Sequence, residues 1–135
     1  MRLTRRYRFS AAHRLDTPAL SPEENRRLYG KCNNPHGHGH DYVLDVTLEG
    51  SPDASGQIAS RETLDALVAN RVLARLDHNN LNVEVPQLAG AVPTTENVAL
   101  AVRRMLEPDW PLSARLERIR ISETDRNIFE LETNL

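Results

Sequence analysis

A chain of 135 residues with a formal net charge of -2 has room for one hydrophobic core and carries no global basic field. Residues 1–135 therefore read as a single domain, and nucleic acid is not an expected partner, although Arg2, Arg5, Arg6, Arg8 and Arg14 gather near the start. The one cysteine, Cys32, excludes an internal disulfide, and no apolar run is long enough for a signal peptide or a membrane helix, so cytoplasmic residence is the expectation.

From Arg2 to His13, the residues Leu3, Arg5, Tyr7, Phe9, Ala11 and His13 alternate with a more polar set, the period-two signature of a strand. His13 shares a face with Tyr7 and Phe9. The stretch from Asp16 to Pro35 is rich in Pro, Gly and Asn and reads as a long irregular connection of the kind that carries function. A second alternation, Tyr42, Leu44, Val46 and Leu48, predicts another strand that ends at the turn-forming stretch Gly50 to Gly56.

Leu64, Leu67, Val68, Val72 and Leu76 lie on one helical stripe, which predicts an amphipathic helix over Ser60 to Leu76 with Ser60 as its cap. Leu88 to Thr95 contains Gly90 and Pro93 and reads as a loop. Thr94 or Thr95 caps a second helix to about Leu106, stopped by Pro108. Leu116 to Ile121 and Ile128 to Leu131 are two short strand candidates around the polar turn Glu123 to Asn127. The order ββααββ implies an α+β domain, a four-stranded antiparallel sheet with both helices on one face. Its free edges make oligomerisation a reasonable expectation.

The densest chemical signal is Cys32 to Tyr42, which holds three of the five histidines in five positions, His36, His38 and His40. In extended backbone, residues two apart point the same way, so these side chains share a direction, with Gly37 and Gly39 relieving the crowding between them. Antiparallel pairing of the first two strands would bring His13 alongside. Neutral imidazoles suit zinc, and three protein nitrogens with an open fourth position make a catalytic site; spacing alone leaves four histidines for three places. Cys32, six residues before His38, is a candidate proton acceptor as a thiolate beside a cation. Asp77 next to His78 could form an acid/base relay or simply end a helix. Glu123 could receive paired N–H donors from a guanidine-like heterocycle, whereas Thr94 and Thr95 are explained by capping.

Taken together, Phe9-Ser10-Ala11-Ala12-His13, Cys32 to His40, Leu76 to Leu81, Pro93 to Asn97 and Glu123-Thr124 resemble the 6-pyruvoyl-tetrahydropterin synthase family, in order across nearly the whole chain. The resemblance implies a tunnelling fold, with subunits forming a trimeric barrel and two trimers stacking into a homohexamer with active sites at subunit interfaces. It implies zinc held by His13, His38 and His40, with His36 demoted to a neighbour because the family often has another residue there. Cys32 becomes the acid/base group, Asp77 with His78 its relay from a neighbouring subunit, and Glu123 the anchor of the pterin ring, assisted by Thr94 and Thr95.

The implied reaction is a lyase step in tetrahydrobiopterin biosynthesis, in which 7,8-dihydroneopterin triphosphate loses triphosphate to give 6-pyruvoyl-tetrahydropterin. Lys31, Arg14 and Arg26 are cation candidates for the triphosphate without a motif behind them. The family alternative is a 6-carboxy-tetrahydropterin synthase of queuosine and deazapurine biosynthesis, using the same substrate; the longer Cys-x5-His-Gly-His spacing and Asn33-Asn34-Pro35 favour the pyruvoyl enzyme. A noncatalytic metal- or pterin-binding module is the reading from a different class. One departure from the family lies at Gln57 to Arg61, the entry to the first predicted helix and outside the proposed site.

Overall fold

The computed structural model describes residues 1–133. Strand β1 (Arg2–His13) pairs antiparallel with β2 (His38–Glu49), β2 with β3 (Arg115–Ser122), and β3 with β4 (Ile128–Glu132), so the sheet runs β1-β2-β3-β4. Period two decides what each face does. Phe9, Ala11, Tyr42, Leu44, Val46, Ile119 and Ile121 are buried in the core, while Arg6 on the opposite face reaches Asp45 with two bonds of 2.8 and 3.1 Å.

The covering layer on the apolar face is helical. Helix α2 (Arg61–Val68) passes through a π-helical turn, Ala69–Leu73, into α3 (Ala74–Leu76). Together they occupy the span that the Leu64 to Leu76 stripe predicts, and Ser60 accepts from the Thr63 amide as its cap. Helix α4 (Thr95–Leu106) is capped by Thr94 and buries Val98, Ala99, Val102 and Leu106. Asp65 of α2 is clamped to β1 by Arg5, at 3.1 and 2.6 Å, and by the Tyr7 hydroxyl at 2.7 Å. The pair is half-exposed, so it fixes the helix in place more than it stabilises the fold.

The connection between β1 and β2 departs from expectation. It contains a helix, α1 (Pro22–Tyr29), followed by a short 3-10 turn, Gly30–Asn33, so the order is βαβααββ, with α2 and α3 forming one span. The local chemistry is complete: Ser21 and Glu24 form a reciprocal capping box, Pro22 opens the helix, and Gly30 closes it at φ 54. Hydrophobic periodicity is blind to this helix because the residue it buries is Asn25, only 2% exposed, while its Leu28 faces solvent. Asn25 replaces apolar packing with hydrogen bonds, donating to the Thr17, Leu20 and Ser21 carbonyls and accepting from the Thr17 amide. Replacing it by Leu leaves those buried groups unsatisfied and is expected to cost roughly 2 kcal/mol in urea unfolding. A change below about 0.5 kcal/mol would show that the network is dispensable.

Candidate metal centre

The end of β1 and the start of β2 build the site. Their register sets His13 opposite His38 and Ala11 opposite His40, so all three imidazoles belong to the core face of the sheet, beyond the stacked pair of Phe9 and Tyr42. Gly37, at φ 81, makes the turn into β2 possible: a Cβ there would stand 3.0 Å from the His13 carbonyl oxygen. Cys32 arrives from the 3-10 turn after α1, whose Cys32 carbonyl accepts from Leu15 N at 2.7 Å while Asn33 donates to Leu15 O and Asp16. The turn is thereby stitched to the residues that follow His13.

His13 is fully buried, and its Nδ1 donates to the Pro93 carbonyl at 2.8 Å, which leaves the lone pair on Nε2 facing the site. That Nε2 lies 3.0 Å from His40 Nε2, and His40 Nε2 in turn lies 2.8 Å from Glu123 Oε1 and 3.6 Å from Cys32 Sγ. Glu123, at the turn after β3, is 3.6 Å from His13 Nε2, and its second oxygen accepts from the Thr95 hydroxyl at 2.8 Å. The donor atoms of His13, Cys32, His40 and Glu123 all fall within 4.8 Å of one another.

The separations of 3.0, 2.8, 3.6 and 3.6 Å suit one ion. Bonds of about 2.0–2.1 Å at tetrahedral angles place nitrogen or oxygen donors about 3.3 Å apart, and about 3.5 Å where one donor is a sulfur at about 2.3 Å. Burial lowers the affinity of His13 and His40 for protons, outweighing the carboxylate of Glu123, so both imidazoles are neutral donors at neutral pH. Burial, then the negative charge of Glu123, raises the Cys32 thiol, and a bound cation would oppose both effects.

The remaining expected residues are placed less centrally. The His38 ring meets the His40 ring edge-on, centroids 4.6 Å apart, on the shared face but outside the four-donor group. His36 is exposed beside Arg14. Asp77 Oδ1 is 3.1 Å from His78 Nδ1 and also accepts from the Ser10 amide, and His78, at φ 62, has a side chain 82% exposed. The pair lies at the edge of β1, and His78 lines a cleft of about 450 Å³ together with His40, Asp41 and Glu84. No hydrogen bond or ion pair among the described residues joins it to Cys32. Thr94 spends its hydroxyl on the Asn97 amide as the helix cap. Arg14 is engaged by Asp16 and the Asn33 carbonyl, whereas Arg26 and Lys31 are exposed.

Sequence reasoning missed the Pro93 carbonyl and the buried Tyr42 hydroxyl, 3.3 Å from His13 Nδ1. A carbonyl has no residue-type signal at all, but Tyr42 shares the parity of His38 and His40 and could have been found.

Residues 2–134 match the family described as 6-pyruvoyl tetrahydropterin synthase. The chain belongs to that family. A human relative, 6-pyruvoyl tetrahydrobiopterin synthase, is 43% identical over 127 residues, covering 93% of this chain and 87% of the relative. A Pyrococcus furiosus relative at 31% identity, covering 97% and 96% of the two chains, is a dihydroneopterin monophosphate aldolase. Among solved structures, the Caenorhabditis elegans 6-pyruvoyl tetrahydropterin synthase superposes with a TM-score of 0.84 at 35% identity, over 99% of this chain and 96% of that one. Membership in the synthase family and the four-stranded antiparallel sheet with its helices agree with what the residue pattern implies.

The approach of Gly37 to the His13 carbonyl yields a test. Gly37→Ala forces both a left-handed backbone and a 3.0 Å contact on the residue, and is expected to cost about 1–3 kcal/mol and to weaken about ten-fold whatever divalent-metal binding the parent chain shows. Chelator competition on the purified variant reads the second effect; unchanged affinity would mean the turn does not set the imidazole geometry.

Proposed function

We propose that this chain is a zinc-dependent 6-pyruvoyl-tetrahydropterin synthase that eliminates triphosphate from 7,8-dihydroneopterin triphosphate. The observation that carries the reading is the convergence of His13, His40, Cys32 and Glu123 in one pocket of a family fold. His13, His38 and His40 are the metal ligands, with His38 supported by its place on the same face and its contact with His40. When bound, zinc supplies Lewis-acid polarisation of the substrate's side-chain oxygens.

The chain's own residues do the rest. Cys32, next to His40, takes and returns the proton of the side-chain carbon, and Asp77 holds the His78 imidazole ready to pass protons from a neighbouring subunit. Glu123, steadied by Thr95, receives the N–H edge of the pterin, with Thr94 fixing the start of α4 beneath it. Loss of triphosphate leaves the terminal side-chain carbon a methyl as its neighbouring alcohol becomes a carbonyl, and the alcohol next to the ring becomes a carbonyl as the ring gains two hydrogens, so oxidation and reduction balance within one molecule. Arg14, Lys31 and Arg26 are the cation candidates for the triphosphate.

The assembly we infer is a trimeric ring, stacked in pairs, closed by sheet edges. Ser10 and Ala12 turn their backbone groups away from β2 toward the chain at 78–81, so alternation leaves those of Thr4, Arg6 and Arg8 at an open edge. That edge of β1 presents Arg6 and Arg8, and β4 presents Glu130 and Glu132 on the same outer face, so head-to-tail pairing joins opposite charges. Light scattering is expected to report a hexamer of 15.2 kDa subunits, and Glu130→Lys with Glu132→Lys to shift it toward smaller species. A monomer at all concentrations would remove both the ring and the relay in trans. No helix among the described residues is long and apolar enough to cross a membrane.

Incubation with 7,8-dihydroneopterin triphosphate and mass spectrometry of the product tests the activity. The expected product is 6-pyruvoyl-tetrahydropterin. Acetaldehyde with a carboxylated pterin would instead establish the 6-carboxy enzyme, and a shortened hydroxymethyl pterin an aldolase like the Pyrococcus relative. Cys32→Ala is expected to retain zinc while turnover falls about 10²–10⁴-fold. Unchanged behaviour of that variant would favour a noncatalytic metal- or pterin-binding module.

A further inference from the structure

We propose that Glu123 is itself a ligand to the ion in the resting site, and that Thr95 is its positioning residue. The inference rests on the metal-centre reading above and assigns Glu123 a second task besides receiving the pterin. The side chain of Glu123 is 14% exposed, and its ion-pair partners among the described residues are His13 and His40. A carboxylate so enclosed needs a compensating cation. Neither imidazole serves, because a nitrogen bound to metal carries no proton. Neutral N–H groups of a heterocycle satisfy its lone pairs without balancing its charge. A divalent ion between the Nε2 atoms does both.

Orientation points the same way. Thr95, 2% exposed in the first turn of α4, donates to Oε2, which leaves Oε1 turned toward His40 Nε2 at 2.8 Å and His13 Nε2 at 3.6 Å. Those values bracket the separation of about 3.3 Å expected between two ligands of one tetrahedral ion. Glu123 thus joins His13 and His40 at one ion; His38, the third ligand proposed above, would complete a four-ligand set and leave the Cys32 thiol beside the metal uncommitted. In a ligand carboxylate of this kind, the hydrogen bond to the second oxygen determines which lone pair faces the metal.

The test uses the purified full-length chain, the same chain with Glu123→Gln, Thr95→Val or Thr95→Ser, and two probes, Zn²⁺ and Co²⁺. Competition against a chromophoric chelator is expected to show zinc held at least about ten-fold less tightly by Glu123→Gln and about ten-fold less tightly by Thr95→Val, with Thr95→Ser restoring the parent affinity. The visible bands of the Co²⁺ form are expected to move in Glu123→Gln and Thr95→Val and to stay in place in Thr95→Ser. Thermal melting of the metal-free chains separates a folding defect from a lost ligand. Zinc affinity within about two-fold of the parent, with unmoved Co²⁺ bands, in Glu123→Gln would confine Glu123 to substrate and overturn the assignment. A parent chain that takes up no zinc would instead overturn the metal centre on which the assignment rests.

Discussion

The antiparallel register of β1 against β2 is the constraint on which the site depends. Side chains alternate along a strand, so a slip of one residue would send His13, or His38 and His40 together, to the charged outer face. Two features hold the register: the stacked Phe9 and Tyr42 on the core face, and the paired bonds of Arg6 with Asp45 on the other. A slip would bury the arginines and expose the aromatic stack, so the energy that fixes the register is ordinary sheet packing. The imidazoles are carried to their places by residues with no part in the chemistry.

Given that register, electrostatics decides what the pocket can hold. Burial strips protons from His13 and His40 and raises the thiol of Cys32, so a metal-free pocket contains neutral donors around one enclosed carboxylate. Such a set is poorly compensated by the protein and well compensated by a divalent cation. The Pro93 carbonyl contributes by fixing the His13 tautomer, and the loop that carries it leads directly into the helix whose first turn holds Glu123 through Thr95. One short segment, 93 to 95, thereby sets both an imidazole and a carboxylate.

Legibility in the sequence followed the physics of each signal. Strand β1 and helix α4 were readable nearly to the residue because their buried faces repeat every two residues or along one helical stripe. Strand β2 begins four residues before the apolar alternation that announces it, since Gly39 and the two histidines pair with β1 without being hydrophobic. Helix α1 escaped notice because Asn25 fills the place of an apolar stripe, although Ser21-Pro22-Glu23-Glu24 spells out its start. The histidine cluster was legible from spacing. The contact of Glu123 with His40 was not, because it joins residues 83 positions apart and depends on how the turn after β3 falls against the start of β2.

In the proposed function, the position of Asp77 and His78 would tie catalysis to assembly. Asp77 is fixed by the Ser10 amide, and His78 by a bond from its own amide to the Ser10 carbonyl, so the pair is anchored to the edge of β1 and cannot swing freely toward Cys32. Cys32 is equally fixed, through Leu15 and Asn33, on the core side of the same sheet. With the backbone of both segments pinned, a relay within one chain would require breaking the contacts that place Asp77 and Cys32. A neighbouring copy meets no such obstacle, because the segment carrying His78 lies at the edge by which subunits would meet. Under the proposed function this anchoring favours proton transfer across an interface, and the charged edges of β1 and β4 would then serve the relay as well as the assembly.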